Sequence, residues 1–67
     1  MEIEFRLAQR VKVARLAKGW SQEELAEYAG LHRTFISQIE RAVKISTIRT
    51  VDRISRALEV KNGDLLD

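Results

Sequence analysis

The chain has 67 residues, one histidine, no cysteine, no proline and a formal net charge of +2. A single domain of that size buries only about 60% of its unfolded surface and must rely on close packing, helped by self-association. Without cysteine there is no disulfide framework or thiolate metal site, no apolar run approaches the ~20 residues of a membrane span, and no set of acids and histidines suggests catalysis.

Five helices are predicted, with no linker or repeat, so residues 1–67 read as one all-α domain. The first runs from about Ile3 to Lys18, with Phe5, Leu7, Val11 and Ala14 as its apolar stripe, and Gly19 ends it. The second starts after Ser21, which forms an S-x-x-E capping box with Glu24; Trp20 and Leu25 stand where a hydrophobic staple would close across the cap. Leu25, Ala26 and Ala29 share one face, and Gly30 follows where a sharp turn needs positive φ. The third helix runs from about Arg33 to Glu40 or Arg41, with Ile36 and Ile39 inward and Leu31 anchoring the turn before it. A polar connection through Lys44 leads to Ser46 and Thr47, either of which can cap a fourth helix striped by Ile48, Val51, Ile54, Ala57 and Leu58. A last helical turn after Asn62 brings Leu65 and Leu66 back to the core or to a partner.

The stretch QEELAEYAGLHRTFISQIER, Gln22 to Arg41, carries the most information. Small Ala26, Gly30 at the turn and the apolar skeleton around them are a helix-turn-helix pattern made by the second and third helices. This leaves His32, Arg33, Thr34, Ser37, Gln38 and Arg41 pointing outward, a set rich in groups that bond base edges and phosphates. N-terminal residues of such a helix reach bases, so Arg33 suits guanine and Thr34 a phosphate or a thymine methyl; Ser37 and Gln38 lie one turn on. Phe35 either completes the core stripe or edges into the groove, and His32 is either a phosphate contact or a plain surface residue. Arg41 and Lys44 are placed to grip the sugar-phosphate backbone, and Gln22 sits in the first turn of its helix, where amides and dipole favour a phosphate. Arg49, Arg53 and Arg56 read chiefly as the solvated face of the fourth helix, with Arg49 nearest to a phosphate role. Double-stranded DNA is the expected partner.

From Leu7 to Leu66 the chain resembles the phage-repressor-like helix-turn-helix family, on the strings RLAKGWSQEELAEYAGLHRTFISQIER, STIRTVDRISRALEV and DLL. The resemblance implies a five-helix lambda-repressor-like DNA-binding domain. Its size and HRTFISQIER string look like the controller proteins of restriction–modification systems, which implies a dimeric regulator on a palindromic operator. By resemblance, Gln22 would also bond phosphate and brace the recognition helix, and Arg15 with Glu40 would form a partly buried ion pair of structural purpose. The chain departs from the family in having Ala42 where Gly is common and Ser46 where Pro is common, and its ERAVKIST connection is more apolar than usual. Candidate dimer residues are Ile45, Val60, Leu65 and Leu66. The competing reading is an antitoxin or bridging module whose exposed Val43 and Ile45 hold another protein. No cofactor, metal, small-molecule ligand or membrane contact is expected, and the expected location is the cytoplasm.

Overall fold

A computed structural model describes residues 2–43 and 47–66, with Glu2 and Leu66 described in backbone only. Lys44, Ile45 and Ser46, and the side chain of Leu66, therefore lie outside the described residues. The helices are α1 (Glu2–Ala17), α2 (Gln22–Ala29), α3 (Arg33–Glu40), α4 (Ile48–Leu58) and α5 (Asn62–Leu66).

Three of the helix starts have a local side-chain cause. Ser21 caps α2: its hydroxyl accepts the Glu24 amide at 3.0 Å while the Glu24 carboxylate accepts the Ser21 amide at 2.8 Å. Thr47 caps α4 by accepting the Thr50 amide at 3.2 Å. At α5 the Asp64 carboxylate reaches back to the Lys61 amide at 3.0 Å. His32 occupies the cap of α3 but makes no side-chain cap bond.

The ends of α1 to α4 share one solution. Trp20, Leu31, Val43 and Val60 donate their amides to the carbonyls of Arg15, Ala26, Gln38 and Ser55, each five residues back. The residue before each donor is left-handed: Gly19 at φ 74°, Gly30 at φ 70°, Ala42 at φ 59° and Glu59 at φ 61°. These are Schellman closures, which satisfy the last carbonyls of a helix and turn the chain within two residues. Two of the four place a side chain in a conformation that L-residues avoid.

Leu7, Val11, Leu25, Ala26, Ala29, Ile36, Ile39, Val51, Ile54, Leu58 and Leu65 form the core, with Ala14, Trp20, Leu31, Phe35, Ala57 and Val60 packed around it. Every helix contributes, so removing one element opens the core of the others. Trp20 covers the core edge as a staple would and also stacks on Tyr28, with ring centroids 4.5 Å apart.

Three expectations are corrected. Phe5 is 60 % exposed, because at 3.6 residues per turn it lies about 120° from the arc of Leu7, Val11 and Ala14. Ile48 is 78 % exposed although it lies on the side of α4 that buries Ser55 two turns later: it is the first residue of the helix, about 60° round from Val51, at the end away from the packed positions Ile54, Ser55 and Leu58. Leu65 is 1 % exposed and belongs to the protomer's own core, so its side chain is not available to a dimer partner. Ser55 is tolerated at 2 % exposure because its hydroxyl has two acceptors within donating reach, the Asp52 carbonyl and Asn62 Oδ1. That link ties the start of α5 to α4, and Arg10 Nη1 donates to the Asp64 carbonyl at 3.1 Å to tie its middle to α1.

Candidate nucleic-acid interface

The α2–turn–α3 unit is fixed from behind by Arg15. Its Nε donates to Glu40 Oε2 at 2.7 Å and its Nη2 to Glu40 Oε1 at 3.1 Å, a two-pronged pairing. Its remaining nitrogen, Nη1, donates to the Trp20 carbonyl at 2.7 Å, immediately before α2. One guanidinium thus joins α1, the entry to α2 and the end of α3. Gln22 Nε2 completes the set by donating to Glu40 Oε1 at 3.1 Å. Glu40 has only 4 % of its side chain exposed, and its charge there is matched by three donors.

The turn is held from the other side by Arg53 of α4, whose Nη1 donates to the Gly30 carbonyl at 3.3 Å. Arg53 reads from sequence as one of a solvated stripe. Only the packing of α4 across α2 gives it this role, and no sequence signal marks it.

With Ile36 and Ile39 buried, the opposite side of α3 faces outward. His32, Arg33, Thr34 and Arg41 are exposed there; Ser37 and Gln38 are half-exposed. Phe35 is half-buried and packs against the core, which favours the core reading of its two possibilities. Gln22 is also half-exposed, at the α2 N-terminus on the same end of the unit as Glu40. Between α2 and the start of α3 lies an open depression of about 390 Å³ bordered by Glu23, Glu27, Leu31, His32 and Arg33. The acidic side chains of α2 therefore border the basic start of α3 directly, with two carboxylates and a guanidinium lining one groove. Arg49 is exposed on the first turn of α4, whereas Arg56 is paired with Asp52 at 2.9 Å.

Among the described residues no group of three or more His, Asp or Glu side chains is placed to hold a metal ion, and no helix is long and apolar enough to cross a membrane.

A family model described as helix-turn-helix matches residues 11–63. The control protein C.BamHI of Bacillus amyloliquefaciens is 47% identical over 60 residues, which cover 88% of this chain and 74% of that protein. The restriction–modification controller protein C.AhdI of Aeromonas hydrophila superposes with a TM-score of 0.92 at 29% identity, covering 97% of this chain and 98% of that one. SinR, a master regulator for biofilm formation solved in complex with DNA, superposes with a TM-score of 0.88 at 39% identity, covering 91% of this chain and 98% of that one. The chain spans a little over half, 56%, of full-length SinR from Bacillus subtilis. A helix-turn-helix unit with a braced α3, matched along most of the chain, places this protein in the helix-turn-helix family of DNA-binding transcriptional regulators.

Proposed function

We propose that the chain acts as a homodimer of the restriction–modification controller type, reading an inverted repeat by inserting α3 of each protomer into a major groove. The observation that carries this reading is the outward face of α3. It presents Arg33, Thr34, Ser37, Gln38 and Arg41 on a short helix whose other side is buried and whose end is clamped by Arg15. A face held that rigidly loses little freedom on binding, so its contacts translate into affinity and register. One eight-residue helix covers too few base pairs for useful selectivity, which calls for two half-sites about 34 Å apart.

In this reading Arg33 pairs with guanine through O6 and N7, Thr34, Ser37 and Gln38 read the neighbouring bases, and Arg41 and Lys44 hold phosphates. Gln22 contacts phosphate from the α2 N-terminus while Glu40 fixes its amide. His32, exposed at the start of α3, sits within reach of the same backbone. Phe35 supports the helix from the core side. For dimerisation, half-buried Val60 is the candidate that the described residues leave accessible, with Ile45 and Leu66 proposed alongside it.

The test is selection of bound sequences from a random duplex pool at roughly 0.15 M salt. Enrichment of an inverted repeat with half-sites one helical turn apart supports the reading. Binding that shows no enrichment and fades with salt overturns it.

A further inference from the structure

Asn62 is the single asparagine of the chain, and it is followed by glycine. The carbonyl carbon of an asparagine side chain can bond to the next peptide nitrogen and close a five-membered ring. A side chain on the following residue crowds that nitrogen, whereas glycine has no Cβ and leaves it open. Asn62 and Gly63 are both half-exposed, so water and hydroxide reach them. Gly63 is the second residue of α5, a position whose amide has no carbonyl partner within its own helix. The turn bond to the Lys61 carbonyl comes from the Asp64 amide instead.

The closed ring holds ψ of residue 62 far from the helical value of about −42°. Reaction therefore requires α5 to leave its helical form. The helix is five residues long, too short to persist without tertiary contacts. Those contacts are Asn62 Oδ1 with the Ser55 hydroxyl, the Asp64 carbonyl with Arg10, and Leu65 in the core. Short segments near a chain end open locally at lower free energy than the whole domain.

We infer that Asn62–Gly63 is a modification site at which the chain converts its own asparagine to isoaspartate and so releases α5. Hydroxide removes the Gly63 amide proton and the nitrogen bonds to Asn62 Cγ. The Cγ–Nδ2 bond breaks, and the departing nitrogen takes a proton from water and leaves as ammonia. Water then opens the imide at one of its two carbonyls, giving aspartate or isoaspartate; nothing is oxidised or reduced. Isoaspartate routes the main chain through the former side-chain carbon and lengthens it by one atom. The start of α5 loses its helical register and its contact with Ser55, and Leu65, three residues on, no longer meets the core at the same angle. Both products also add a negative charge two residues from Asp64. Val60 and Leu66 flank the altered link, so modification lowers operator affinity as the chain ages; this consequence rests on the homodimer reading.

The experiment incubates the full chain in native buffer at mildly alkaline pH, beside Gly63→Ala and Asn62→Gln. Peptide mass mapping and labelling by an isoaspartyl methyltransferase follow the product. Isoaspartate should accumulate at position 62, and Gly63→Ala should slow it at least roughly tenfold. Asn62→Gln keeps an amide but needs a larger ring, and should stay unmodified. The purified isoaspartyl chain should show shifted Ser55 and Leu65 amides and a lower urea midpoint than fresh protein. Absence of product in the native chain while the urea-unfolded chain reacts would overturn the inference. So would an equal rate in Gly63→Ala, or an isoaspartyl chain whose Leu65 amide and urea midpoint are unchanged. A loosened α5 with operator binding and self-association like those of fresh protein supports the site and counts against the homodimer reading.

Discussion

Arg15 grips Glu40 through two nitrogens, at 2.7 and 3.1 Å, across 25 positions of sequence. The pair ties the first helix to the end of α3, the helix proposed to face DNA. Both side chains are largely removed from water, at 10 % and 4 % exposure, so each depends on the other for compensation. Removing one partner of such a pair costs about 3–5 kcal/mol, because the survivor is left charged and buried. Glu40→Leu alone should lower urea-unfolding stability by roughly 3 kcal/mol. Arg15→Met combined with Glu40→Leu should recover most of that, since neither charge then remains. A double substitution as damaging as the sum of the two would show that the pair is not energetically coupled.

Arg33 and Arg41 stand exposed at opposite ends of α3 and should fail differently. Arg33→Ala is expected to cost about 1–3 kcal/mol on the selected operator and to relax preference at one base pair in each half-site. Arg41→Ala should weaken all duplexes alike and flatten the log–log salt dependence by about 0.9 per protomer. Binding isotherms on matched and mismatched duplexes at several salt concentrations separate the two. Identical behaviour of both variants would contradict the assigned roles.

Ala42 takes φ 59° to close α3, where its neighbours in the same motif at α1 and α2 use glycine. The left-handed conformation costs an alanine about 1–2 kcal/mol, while glycine adds roughly 0.4–1 kcal/mol of unfolded-state entropy. Ala42→Gly should therefore stabilise the domain by about 0.5–1 kcal/mol, read as a higher denaturation midpoint at unchanged slope. The converse, Gly30→Ala, should destabilise: it puts alanine at φ 70° and its Cβ 3.3 Å from the Arg53 Nη1 that holds the turn.

Glu59 lies beside Lys18, whose Nζ donates to Oε1 at 2.6 Å. That hydrogen bond, and then the lysine's charge, holds the Glu59 carboxyl below the ordinary carboxylate range, against a small opposing effect of burial. A carboxyl whose folded pKa is depressed contributes stability above its unfolded pKa and loses it as pH falls through the folded value. The contribution should thus be intact at neutral pH and vanish on acidification. Carboxyl-carbon NMR should place the Glu59 midpoint below that of the unfolded chain, and Lys18→Met should return it to the ordinary range.

Ser21 gives a cleaner test of local coding. Its hydroxyl and the Glu24 carboxylate satisfy two amides that α2 leaves open. Ser21→Ala should cost about 1 kcal/mol of stability, with Ser21→Asp retaining most of it. A neutral effect of the alanine would mean that water replaces the cap without loss.

The amino-acid sequence by itself determines the local grammar of this protein. The S-x-x-E cap, Gly19 and Gly30 after apolar runs, and the spacing of Leu25, Ala26, Ala29, Ile36 and Ile39 specify the helix-turn-helix, because each acts within one or two turns of backbone. The outward residues of α3 follow from the same spacing, since fixing the buried face fixes its opposite. What the tertiary structure decides are choices between equally periodic alternatives. Phe5 and Ile48 are as apolar as the residues that are buried, and only the position of neighbouring helices selects Leu7 and Val11, or Val51 and Ser55, in their place. Leu65 could face inward or toward a partner until Asn62 and Arg10 set the angle of α5. Arg53 reaching the Gly30 carbonyl, and Trp20 stacking on Tyr28, join elements whose separation in space no local pattern encodes. Helix formation is governed by neighbours along the chain. Which of two apolar faces is buried is governed by the free energy of the whole assembly of helices.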